Sequence, residues 1–116
     1  MSAEYFHVTP SYNKEDVEKS GLSISGGKYK PAFEPNPRRR SVHFAKGMAD
    51  AREWGFEIAE AHDRNLNETH RNMSVFKVNT KGLRVRKHKT DIGVSEYRVS
   101  HNIGPERVSY VGDIQV

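Results

Sequence analysis

From Asn65 onward the chain carries no apolar run at helical spacing, only short β-type runs separated by turn residues. Val75, Phe76 and Val78 predict one strand, and Leu83 to Arg86 a second, with Lys81-Gly82 as the turn between them. Glu96 to Ser100 predicts a third strand, and Val108 to Val116 a last one interrupted near Gly112. Asn65 to Asn72 and Thr90 to Val94 read as loops; Ile103 to Pro105 reads as a turn, because Pro105 has no N–H to give a ladder. Strands this close in sequence, with no helix between them, pair antiparallel.

The first half is patterned differently. Glu4 to Thr9 predicts a strand stopped by Pro10. Asn13 is placed to cap a short helix through Glu18, with Val17 facing inward, Glu15 and Asp16 in the first turn, Lys19 near the end and Gly21 as the stop. Leu22 to Ser25 predicts a brief strand and Ser41 to Ala45 another. A helix follows from about Met48 to Arg64, because Met48, Ala51, Trp54, Ile58 and Ala61 recur at helical spacing; Trp54 and Ile58 are expected in the core. No internal repeat is present. The order predicts an α+β fold: a mostly antiparallel sheet with two helices.

A length of 116 residues fits a single domain over 1–116, and 34% hydrophobic residues leave a small core with generous loops. The chain has no cysteine, which excludes disulfides and thiolate metal sites and suits a reducing compartment. No run approaches the roughly 20 apolar residues of a membrane span. The opening MSAEYFHVTP lacks a basic region followed by an apolar run. Together these predict a soluble, cytoplasmic protein.

Net charge is +4 with a pI near 9.4, which favours nucleotides, nucleic acids or acidic protein surfaces as partners. The basic residues fall in two groups. One is the Arg38-Arg39-Arg40 run; the other is Arg84, Arg86, Lys87 and Lys89, in which Arg84 and Arg86 would share a strand face. Phosphate contact and a solvated edge that discourages strand aggregation both fit this second group. Gly26 to Arg40, with Gly26-Gly27 and Pro31, Pro35 and Pro37, reads as a long mobile loop, equally suited to a binding lid or to plain disorder.

Several chemistries find no support. His62 and His70 flank Asp63, Asn65, Asn67 and Glu68, but the spacing matches no zinc signature, and no metal is expected. A two-histidine phosphoesterase needs two His-x-Thr/Ser units; His7-Val8-Thr9 is one, but His43-Phe44-Ala45 lacks the hydroxyl. There is no Gly-rich phosphate loop followed by Lys-Ser/Thr and no serine nucleophile elbow.

Three segments, in order, resemble one family. Tyr5-Phe6-His7-Val8-Thr9-Pro10, followed by a short helix and Ser20-Gly21-Leu22, looks like the opening strand of the ADP-ribosyltransferase fold. The likeness is to its poly(ADP-ribose) polymerase and diphtheria-toxin branch, with kinship to bacterial transferases that modify nucleic acid. Val42-His43-Phe44-Ala45, followed by a helix with Ala49 and Ala51, resembles that family's aliphatic-Tyr-Phe-Ala strand. Ser95-Glu96-Tyr97-Arg98-Val99 resembles its catalytic segment. Val8 stands where many members have glycine, and His43 where the family has tyrosine.

The resemblance implies the following chemistry. The family breaks the nicotinamide–ribose bond of NAD through an oxocarbenium-like transition state. Glu96 would be the catalytic carboxylate that stabilises the developing charge and orients the acceptor. His7 would hold a ribose hydroxyl, the Val8 backbone would pair with the nicotinamide amide, and Thr9 would contact the adenosine ribose. His43, beside Phe44, would stack on nicotinamide. A protonated imidazole there would oppose the cationic ring, so activity is expected to fall in mild acid. Arg38 and Arg40 would sit near the pyrophosphate. The reading implied is a mono-ADP-ribosyltransferase that uses NAD as substrate and modifies a protein or nucleic-acid acceptor. NAD-dependent removal of an RNA 2′-phosphate is a variant. Two other classes stay open: a non-catalytic basic binding module on the same fold, and a metal-assisted or anion-binding hydrolase using the histidines.

Overall fold

The computed structural model describes residues 4–24, 41–67, 69–89 and 93–116. In chain order its elements are β1 (Tyr5–Pro10), α1 (Lys14–Ser20), β2 (Val42–Lys46), α2 (Met48–Ala61), β3 (Asn72–Val78), β4 (Arg86–His88), β5 (Glu96–Val99) and β6 (Val108–Gln115). Short 3-10 segments at Ser11–Asn13 and Pro105–Arg107 lead into α1 and β6. The fold is α+β, with one six-stranded sheet in the order β4-β5-β2-β1-β3-β6 and every pairing antiparallel.

Both sheet faces are covered around its middle, which explains why β3 buries nearly all of Met73 to Val78 instead of alternating. On one face α2 packs Met48, Trp54 and Ile58 against Phe6, Val8, Ala45, Met73, Val75 and Ile114. On the other, Val17 of α1, Leu22 and Ile103 pack against Val42, Phe44, Phe76, Val78 and Val99. Small residues let α2 approach closely: Ala51 and Ala59 are fully buried, and a Cβ at Gly55 would meet Val116 Cγ1 at 3.2 Å. Among the described residues no helix is long and apolar enough to cross a membrane.

The structure moves several expected boundaries. Pro10 is the last paired residue of β1, opposite Met73, because a missing N–H is tolerated where a ladder ends. Asn13 holds the N-cap position of α1 but makes no side-chain capping bond; its amide donates instead to Thr9 Oγ1 at 2.9 Å, and α1 runs past Glu18 to Ser20. Of the strand expected at Leu22 to Ser25, the described residues 22–24 form only a single bridge, Leu22 to Ile103, which also buries the supposed turn residue Ile103 in the core. α2 stops at Ala61 and widens into a π-helical turn over His62–Leu66, closed by Asn67 at φ 53°. β3 begins at Asn72, three residues earlier than the apolar run suggested.

The strand expected at Leu83 to Arg86 lies at Arg86–His88; Leu83 and Val85 pack on the α1-side core from irregular backbone. The interruption near Gly112 is a register shift: Val75 faces Gly112 while Phe76 faces Tyr110, leaving Val111 as the extra residue. The expected mobile loop at Gly26 to Arg40, including Arg38 and Arg40, lies outside the described residues, as do Ser25 and residues 90–92.

Candidate functional site

The central ladder of the sheet is short. β1 pairs with β3 over its full length, yet pairs with β2 only at Tyr5–Lys46 and Phe6–Ala45. Beyond Phe6 the two strands part. The Glu4 carbonyl accepts the Gly47 N–H at 3.0 Å, so by strand alternation Phe6 and Val8 turn their backbone polar groups toward β2. Phe6 finds Ala45 there. Val8 faces His43 across the parting, where no ladder pair forms.

The His7 side chain fills the role that the Val8 N–H would have had. Its Nδ1 lies 2.9 Å from the His43 carbonyl oxygen. A carbonyl only accepts, so Nδ1 carries the proton and Nε2 keeps its lone pair. Burial is the main cause that lowers the His7 pKa to about 4; the bond to His43 opposes this and the charge of His43 adds to it. His7 is thus a neutral imidazole at ordinary pH, wedged at the start of the split.

His43 joins this wedge to a carboxylate. Its Nδ1 lies 3.3 Å from Glu96 Oε2, and the other oxygen, Oε1, accepts from Arg98 Nε. The register explains the cluster. His43 faces Arg98 across β2 and β5, and Glu96 is two residues from Arg98, so all three side chains share the α2 face. Glu96 is only 6% exposed. Burial by itself would raise its pKa, but the hydrogen bond and charge of His43, with those of Arg98, outweigh it and hold the carboxyl below its usual range. Trp54 on α2 donates Nε1–H to the Ser95 carbonyl at 3.2 Å, tying the helix to the residue before Glu96.

The expected positions therefore divide. His7, His43 and Glu96 are joined in one chain of contacts, although the His7 side chain starts from the α1 face and reaches the split from there. Val8 turns its backbone to the split and its side chain to the core beneath α2. The Thr9 hydroxyl is engaged by Asn13. Phe44 is 2% exposed and packs near Tyr5 on the α1 face, so its ring does not border Glu96. Arg38 and Arg40 lie outside the described residues.

Arg98 was missed as a site residue. Alternation alone would have found it, since a residue two after Glu96 on a strand must share its face. His62 and His70 form a separate cluster: His62 Nδ1 donates to the Ile58 carbonyl, Nε2 accepts from Tyr12 Oη at 3.2 Å, and both Tyr12 and His62 meet the His70 ring edge-on. Among the described residues no three of His, Asp and Glu converge as metal ligands would. No family model, curated protein or solved structure matches this chain.

Proposed function

We propose that the chain is a mono-ADP-ribosyltransferase of the ADP-ribosyltransferase fold, using NAD as substrate and a protein or nucleic-acid acceptor. The observation that carries the reading is the contact chain His7–His43–Glu96 at the mouth of the β1–β2 split. The donor set fits a nicotinamide riboside. Val8 offers a backbone N–H and C=O side by side for a carboxamide, His7 Nε2 offers an acceptor for a ribose hydroxyl, and Glu96 offers a fixed negative charge.

In the reaction the bond between the ribose anomeric carbon and nicotinamide nitrogen breaks. Its electron pair leaves with nicotinamide, which becomes neutral, and positive charge develops on the ribose. An ionised, pre-oriented carboxylate in a partly dry site is worth most at that moment. Arg98 and His43 keep Glu96 ionised and hold its rotamer. The acceptor's nucleophile then forms the new bond to the anomeric carbon and releases its proton to water.

The test is mass spectrometry of a lysate incubated with the protein and NAD. The expected product is a macromolecule heavier by one ADP-ribose. Glu96→Gln should lower its formation by about a hundredfold or more, the scale on which a single charge-stabilising group acts. Wild-type protein that neither consumes NAD nor labels any acceptor overturns the reading.

A further inference from the structure

The described sheet ends at β4, and this edge is loaded with cation. Arg84, Arg86, Lys87 and Lys89 are all exposed. Among the described residues none of them makes an ion pair. The register sets Arg86 opposite Arg98 and His88 opposite Glu96. Like charges directly opposed on one face destabilise a strand pair, by a few tenths of a kcal/mol up to about 1. Arg98 has Glu96 as a partner; Arg86 beside it has none among the described residues. A row of cations along a sheet edge, without acidic partners among the described residues, fits a polyanion.

We infer that this edge is a docking surface for the phosphodiester backbone of single-stranded nucleic acid. Three features select that occupant. First, the cations are spread over six residues from Arg84 to Lys89, of which Arg86–His88 is extended strand, a longer reach than a single phosphate or pyrophosphate needs. Second, Lys87 projects from the opposite face to Arg86 and His88, so the charge wraps the edge instead of converging on one point. Third, β4 neighbours β5, so a backbone lying along the free edge of β4 is about two strand spacings, roughly 10 Å, from the strand that carries Glu96. A single strand can turn a base or terminus toward that carboxylate; a paired base is held in its stack. Nucleic acid is then the acceptor of the proposed transfer. That role rests on the transferase reading, whereas the binding itself does not.

Fluorescence anisotropy of labelled single-stranded DNA and RNA oligonucleotides with the full chain, over a series of salt concentrations, tests it. Binding is expected to weaken with salt at a log–log slope of about −2 to −3, since each neutralised phosphate contributes roughly 0.7 for single strands. The double variant Arg86→Gln, Lys87→Gln should flatten the slope by about 1.4 and weaken binding at least tenfold. Its circular dichroism is taken alongside, and Glu15→Gln on α1 serves as a surface control. Absence of binding at low salt, or a double variant that binds like wild type, overturns the surface. Parallel NAD consumption separates the two readings: oligonucleotide binding without NAD cleavage leaves the surface standing and removes the transferase, and the reverse result does the opposite.

Discussion

An imidazole that must give its proton to a backbone carbonyl, inside a sheet, is a charge-averse group at a structural joint. His7 is such a residue, and its pKa near 4 against an ordinary 6.5 makes its protonation state part of the fold's stability. The sign is definite. Between those two values the unfolded chain binds more protons than the folded one, so stability falls as pH drops through the window and levels off below it. The full shift is worth on the order of 3 kcal/mol at about 1.4 kcal/mol per unit. Glu96 adds to this only at lower pH, because a carboxyl held below its usual value loses its contribution as pH falls beneath the ordinary carboxylate range. Urea unfolding at pH 7, 6 and 5 should therefore show a decline that His7→Asn largely removes. Asparagine can still donate to the His43 carbonyl but does not titrate. An equal decline in both proteins would assign the effect elsewhere.

At the scale of elements, the parting of β1 from β2 has a direct signature. Val8 sits in the middle of a strand flanked on both sides in the sheet, yet its N–H points into the split. Its amide should exchange with solvent deuterium faster than those of Phe6 and His7, which face ladder partners. Protection equal to theirs, read by two-dimensional NMR, would mean that the split is closed in solution. α1 depends on another backbone feature: Gly21 has φ 78°, and a Cβ there would run into the Ile103 carbonyl oxygen, with Gly104 C at 2.7 Å and Pro105 N at 2.8 Å. Gly21→Ala should cost about 3 kcal/mol or more in chemical denaturation. Gly82→Ala, at φ 80° but in open space, should cost about 1–2, the left-handed penalty alone. Both α-helices and the antiparallel sheet were legible from period and turn chemistry. The end of α2 was not, because no glycine or proline marks Ala61 and the backbone widens instead of stopping. The position of β4 was not legible either: alternation of Leu83 and Val85 reflects packing on the core, while the strand is defined by where β5 offers partners. At the site, the family resemblance singled out His7, His43 and Glu96, and alternation puts Arg98 on the face of Glu96, but only register brings His43 to that face beside them.

Taken whole, the molecule is two half-sheets, β4-β5-β2 and β1-β3-β6, joined by a two-pair ladder and by α2, which packs on both β1 and β2. A ligand seated in the split would bridge the halves, because it would touch Val8 and His7 from one and His43 and Glu96 from the other. Such a ligand binds the folded chain and not the unfolded one, so it raises stability by about 2.7 kcal/mol at one hundred times its Kd. For a domain of this size, with several degrees per kcal/mol, the melting temperature should rise on the order of 10 °C. Glu96→Gln should keep much of that shift while losing turnover, since the carboxylate's largest contribution comes at the transition state and not in the ground state. Differential scanning fluorimetry with NAD, nicotinamide and ADP-ribose separates the parts. A rise with nicotinamide alone would place the ring subsite at Val8 and His43, and a rise only with ADP-ribose would shift the weight to the other end of the dinucleotide. No shift from any of the three at millimolar concentration would mean that the split is a structural seam held by His7, and the transferase reading would fall with it.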